Sequence, residues 1–300
     1  MPNSDARMKA ITTLFTWSLL AVLLAGCEQV IEIDLPPHTP QIVVNSTFST
    51  DSVVYAQISV SKQLQDTAQI QVLSDASVVL LEDGLPFDTL QFTSNYFPGA
   101  YRGSRIPSAG KNYTLKASRS GFPTVEGNDL APFPVAIENV TFQDSVPDPV
   151  NEGVWDEITF SFSDAGTTDD FYVAGIQLSD SVEVVPGQWE VYTMMVGFIT
   201  DDPIMERDFT GNVVSFTDDS FQGGRRSIRM KVNHDDIAYG TAEIVLLHTS
   251  ENYFRYLRSI NAYEETQFNP FAEPVIIHSN MTPQLGIFAG YSRSTALVPR

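Results

Sequence analysis

Cysteine occurs once in 300 residues, at Cys27. No intramolecular disulfide can form, so the fold must rest on its own apolar core. Basic residues are also scarce: 17 Lys and Arg against 37 Asp and Glu leave a formal charge of −20. A chain of that sign lacks the basic footprint that nucleic-acid binders need. It also gains nothing from anionic lipid by charge. Histidine appears four times, at His38, His234, His248 and His278, without the spacing of a metal site. There is no Gly-x-Ser-x-Gly elbow, no His-Glu-x-x-His pair and no phosphate-cradling glycine loop. These absences point away from an enzyme, and no cofactor or metal is expected. Long apolar runs are missing too, apart from one near the N-terminus.

That run sets the expected location. A polar start carrying Arg7 and Lys9 is followed by the apolar segment Ile11 to Leu24. Basic, apolar and small-residue regions in that order describe a secretory signal peptide, and the segment is short for a membrane span. The run Leu24-Ala25-Gly26-Cys27 then resembles the lipobox of bacterial lipoproteins. The resemblance implies lipidation of the Cys27 thiol and cleavage before it. The alternative is an ordinary signal peptide with a chance cysteine, or a buried free thiol. Residues 1–26 are thus expected to be a lipoprotein signal peptide and 27–39 a lipidated tether. Pro36-Pro37 would keep the tether extended, and the lipid on Cys27 would be the membrane contact.

From residue 41 the dominant period is two, the mark of half-buried strands. Val54, Ala56, Ile58 and Val60 point one way, with Tyr55, Gln57, Ser59 and Ser61 opposite. "QIVVNSTF", "ASVVLLEDG" and "NYTLKAS" read as further strands, and Asp83-Gly84 as a hairpin turn. Gly99 to Gly103 and Ser120-Gly121 read as turns. "NDLAPFPV", with Pro132 and Pro134, suits a link between domains. Beyond it the alternation restarts at Ile158, Phe160, Phe162, then Tyr172, Ala174, Ile176, Leu178, then Ile228, Met230, Val232. Ala242 to Leu247 is apolar on both faces apart from Glu243. One helix interrupts the pattern near 251–263, capped by Ser250, with Tyr253, Leu257 and Ile260 on one face. The expected fold is mainly β: two β-sandwich domains (immunoglobulin-like or transthyretin-like), 40–131 and 135–300, with one short helix in the second.

Candidate chemistry is sparse. "SDAGTTDD" (163–170) and "TDDSFQGG" (217–224) are acidic loops. Neither has EF-hand spacing, and a glycosidase would need two acids flanking a sugar. In so acidic a chain both loops read as solvated turns. Trp155 and Trp189 lie near glycine-containing turns and are candidates for sugar stacking or for an interface, with core packing the competing reading.

The most distinctive run is "NPFAEPVIIHSNMTPQLGIFAGYS", 269–292. It reads as a proline-framed entry, a short strand over Val275 to Ile277, a turn over Asn280 to Gln284, and a closing strand over Gly286 to Ser292. Together with "TSENYFRYLRSI" and "VIEIDLPPHTPQIVVNSTF", it resembles the Bacteroidota lipoproteins grouped as domain of unknown function 4249. The resemblance implies an outer-membrane, surface-displayed lipoprotein of β-sandwich domains that is a partner subunit of a TonB-dependent barrel transporter. It supplies no catalytic residues, and only Cys27 maps onto a defined position. A freestanding surface module for glycans or peptides is the alternative.

Overall fold

The computed structural model describes residues 38–300 except 64–65, 96–98, 148–152, 167, 268 and 270. Cys27, the signal segment and nearly all of the tether lie outside the described residues, as does Pro270. The unit Pro40–Arg300 is mainly β.

Its first part holds β1 (Ile42–Ser49), β2 (Tyr55–Val60), β3 (Ser77–Glu82), β4 (Leu85–Thr93), β5 (Ala100–Arg102), β6 (Asn112–Ser118) and β7 (Val125–Leu130). The alternation of apolar and polar residues sets the buried faces. Val54, Ala56, Ile58 and Val60 are all buried, as are Tyr113, Leu115 and Ala117 of β6. Asp83 and Gly84 both take positive φ, 49° and 82°, and turn β3 into β4. Only residues that tolerate the left-handed region make so tight a hairpin. The run Gly99 to Gly103 departs from the sequence expectation. It is not a turn but contains β5, which fills the gap between β2 and β4 with Ala100 and Tyr101 buried.

The second part holds β8 (Glu138–Val146), β9 (Trp155–Ser163), β10 (Phe171–Val185), β11 (Gln188–Val196), β12 (Phe198–Ile199), β13 (Glu206–Arg207), β14 (Val213–Thr217) and β15 (Arg225–Asn233). There follow α1 (His234–Ile237), β16 (Thr241–Thr249), α2 (Glu251–Thr266), β17 (Met281–Thr282) and β18 (Gly286–Leu297). Helix α2 begins where its cap predicts: Tyr253 N donates to Ser250 Oγ at 3.1 Å. The apolar run Val275 to Ile277 is not a strand, and Ile276 is 90% exposed. The expected turn after it contains the short strand β17, paired with β7. Asn280 explains this local geometry. Its side chain accepts from Phe288 N at 3.0 Å and donates to Phe288 O at 2.6 Å and Asn128 O at 3.0 Å.

A continuous ladder runs β13-β14-β10-β16-β18-β1-β2-β5-β4-β3-β6-β7-β17, with β11 added beside β10. A second sheet runs β12-β15-β9-β8. Two apolar clusters result. One is enclosed by β1 to β7 and closed by Met281 and Phe288. The other lies between the two sheets, where Ile158, Phe160 and Phe162 of β9 and Ile228, Met230 and Val232 of β15 meet Tyr172, Ala174, Ile176 and Leu246. This is the sandwich face that period-two patterning encodes, each large side chain contributing about 1.5–3 kcal/mol by leaving water. On the outer face of the same ladder, Val173 and Val245 are buried, and Phe254 of α2 packs on Phe171 with ring centroids 5.1 Å apart.

Strand β18 joins the two clusters. Gly286 to Tyr291 pair parallel with Val44 to Ser49, and Tyr291 to Leu297 pair antiparallel with Thr249 to Glu243. Segment 131–137 carries no strand, yet Ala131 and Pro132 are buried and the Pro132 carbonyl accepts a hydrogen bond from the Ser292 hydroxyl. Next to it, buried Asp129 accepts from the Ser250 hydroxyl, from Gly290 N at 2.9 Å and from Asn252 Nδ2 at 3.1 Å. One carboxylate therefore ties β7, β18 and the start of α2.

Candidate functional site

The two acidic loops are not both solvated turns, because the sandwich draws them together. Asp164 follows the last residue of β9, in one sheet. Asp170 precedes the first residue of β10, in the other. Asp218 follows β14, whose Thr217 is in register with Phe171. Asp218 N donates to Asp170 O at 3.2 Å, which sets the two loops side by side. Asp164, Asp170 and Asp218 are only 7%, 7% and 1% exposed. Each offers an oxygen within 4.8 Å of the others. Asp169 and Asp219 remain in solvent, as the sequence suggests for loop acids.

Two glycines make the approach possible. Gly166 and Gly223 take φ of +67° and +68°, and a Cβ on Gly166 would lie 2.3 Å from Gly223 Cα. No other residue fits there.

The three carboxylates differ in how they are served. Asp164 accepts from the Tyr172 hydroxyl at 2.6 Å, Gly223 N at 2.7 Å and Gly166 N at 2.9 Å. Burial alone would raise its carboxyl, but these bonds outweigh burial and hold it below the usual carboxylate range. The Tyr172 hydroxyl is raised by burial and by that same bond to Asp164. Asp170 Oδ1 accepts from Thr168 Oγ1 at 3.2 Å and faces His248 Nε2 at 3.0 Å. The other His248 nitrogen faces the Phe133 carbonyl at 2.7 Å, so the ring donates both ways only as the imidazolium. Asp218 is the exception: its Oδ2 is buried with no hydrogen-bond partner among the described residues. Burial, then the charges of Asp164 and Asp170, push its carboxyl up.

The histidines are not the isolated residues that their spacing suggests. His248 belongs to this cluster and stacks on Tyr172 at 5.2 Å. His234 Nδ1 lies 3.0 Å from Asp156 Oδ2 and 3.7 Å from Asp144 Oδ1, a second group with metal-ligand chemistry. His278 Nε2 meets Asn252 Oδ1 at 3.0 Å. No local motif announces these pairings, because each joins residues 26 or more positions apart in sequence.

The tryptophans part company. Both sit in strands rather than in end loops. Trp155 opens β9, half-buried, in the four-stranded sheet, while Trp189 lies in β11, 63% exposed. Trp189 belongs to an arm. Pairing of β10 with β16 ends at Ser179, while pairing with β11 continues to Val185, so the end of β10 past Ser179 is a two-stranded ribbon. Val182, Val184, Val185, Val191, Tyr192 and Met194 are exposed along it. Residues 177–196 contain no Lys, Arg or His, and Asp180, Glu183 and Glu190 give the arm its charge.

An open cleft of about 420 Å³ lies between α2 and the β13–β14 edge, lined by Arg207, Asp208, Leu257 and Glu265 among others, with the Arg258–Glu206 ion pair at its wall. No curated protein matches the chain. The family model described as domain of unknown function (DUF4249) matches residues 28–296, and the chain belongs to that family.

Proposed function

We propose that the protein is a lipid-anchored accessory subunit of the outer membrane, held at the cell surface by lipid on Cys27, that binds a TonB-dependent transporter barrel without catalysing a reaction. The observation that carries this reading is the β10–β11 arm. A two-stranded ribbon is marginal in water on its own, and exposed apolar side chains on such an element mark a surface made to be covered. Trp189, Val191, Tyr192 and Met194 supply aromatic and apolar anchors of the kind that dominate protein interfaces. The arm's acidic charge disfavours anionic lipid as the covering surface and favours a protein. The lipobox-like run before Cys27 supports the anchor.

Gentle detergent extraction of the tagged chain from its own membrane, followed by mass spectrometry, tests the reading. A TonB-dependent barrel should co-purify near one to one. A Val191→Glu/Tyr192→Glu double variant, at exposed positions, should shift Tm by no more than about 2 °C and release the barrel. Recovery of the lipoprotein alone overturns the proposal, and full retention by the double variant removes the arm from it. A second reading, a freestanding glycan or peptide binder, draws on the exposed Trp189 ring. It predicts an unpartnered protein whose ligand affinity falls in Trp189→Ala.

A further inference from the structure

We infer that Asp164, Asp170 and Asp218 form a site for one hard divalent cation, calcium by its ligand chemistry. Calcium bonds to oxygen at about 2.3–2.6 Å, so oxygens around one ion lie up to about 5 Å apart. The three carboxylates meet that limit, each offering an oxygen within 4.8 Å of the others. All three are more than nine-tenths buried. A buried anion needs a partner, and the needs of the first two are met in part by protein donors. Tyr172, Gly166 and Gly223 serve Asp164, and Thr168 and His248 serve Asp170. Nothing among the described residues serves Asp218 Oδ2, 99% of whose residue surface is covered. An ion in the midst of the three would supply that partner and cancel the repulsion among them.

The scaffold is preformed. The Gly166–Gly223 approach clamps one loop to the other, and the Asp218 N to Asp170 O bond fixes the third acid. The donors are oxygens, which suit calcium over zinc, with water completing the six to eight ligands that calcium takes. The Asp144, Asp156 and His234 group is different. Both Asp156 oxygens face His234, and Oδ1 also accepts from Ser145 N at 3.0 Å, so no oxygen of Asp156 is orphaned there.

The test uses the full chain in mild detergent, stripped with EDTA. Terbium, a calcium surrogate, is added with excitation of tyrosine, since the Tyr172 hydroxyl lies 2.6 Å from Asp164. Sensitised emission should appear, saturate at one equivalent and be displaced by calcium. Calcium at about a hundred times its Kd should raise Tm by roughly 5–10 °C. Asp218→Asn should weaken calcium on the order of 100-fold, through loss of one charged ligand, and should melt no lower than the wild type in EDTA. Asp144→Asn, in the other group, should bind calcium as the wild type does. Absence of both emission and a calcium-dependent Tm shift in the wild type overturns the site, a reading that needs no variant to fold. Calcium binding that survives Asp218→Asn but not Asp144→Asn overturns it equally, by moving the ion to the second group.

Discussion

The Asp88 carboxylate is wrapped in backbone. It accepts from Ser104 N at 2.6 Å, Arg105 N at 3.0 Å, Thr89 N at 2.8 Å and the Ser104 hydroxyl at 3.0 Å. Burial opposes its ionisation, but these donors outweigh burial and hold the carboxyl below its usual 3.8. A carboxyl depressed in the folded chain stabilises the fold at pH values above its unfolded value. That contribution fades as pH falls through the depressed one. Asp88→Asn should therefore cost about 1–2 kcal/mol in urea melts at pH 7, while the gap from wild type closes below pH 3.8. A gap of equal size at both pH values would mean that the charge contributes nothing and that the loop is held by hydrogen-bond count alone. Nothing in the local sequence marks this residue. Asp88 sits in a strand, and the loop that it anchors lies 16 and 17 residues away. The same distance problem hid the buried acids: Asp164 and Gly223 are 59 residues apart, so composition alone placed both loops in solvent.

Strands whose partner lies on one face were readable from their alternation. β2, β6, β9 and β15 each bury every second side chain, and Asp83-Gly84 and Ser250 mark a turn and a cap through residue-level chemistry. β5 and the 275–277 run were not readable. In the first, flanking glycines mimic a turn while long-range pairing makes a strand. In the second, three apolar residues find no neighbouring strand among the described residues and stay open. β18 combines both situations. Its sequence gives a strand, but not that one strand serves two partners of opposite sense. Gly286 makes the parallel half possible: φ is +90°, and a Cβ there would lie 1.9 Å from the Val44 carbonyl oxygen. Gly286→Ala must push β18 off β1 or strain the backbone. It should destabilise by about 3 kcal/mol or more, read as a fall in the urea midpoint. Gly121→Ala, at a positive φ with open space around it, should cost only about 1 kcal/mol. Equal costs at the two glycines would show that steric approach to β1 is not what position 286 serves.

Sharing β18 has a consequence for the molecule as a whole. Two apolar clusters of this size could each melt alone, as the proline-rich link around Pro132 and Pro134 suggests from sequence. The pairing argues otherwise. Opening the first cluster strips Gly286 to Tyr291 of β1, and the freed strand continues directly into Tyr291 to Leu297, the neighbour of β16. Opening it also releases Asp129 from Ser250 and Asn252 at the start of α2, whose Phe254 covers Phe171 on the second cluster's ladder. Each of these losses is of the size of a hydrogen bond to a charged group or a buried aromatic ring, about 1.5–3 kcal/mol. Together they rival the 5–15 kcal/mol that holds a typical domain folded. Unfolding of one cluster should thus carry the other with it. Calorimetry of the full chain should show one transition, with calorimetric and van't Hoff enthalpies in agreement. Leu80→Ala, which empties part of the first cluster, should lower that single Tm rather than split the peak. Two resolved peaks, with only the lower one moved by Leu80→Ala, would show that β18 is a tether between independent domains and not a strand whose loss either cluster feels.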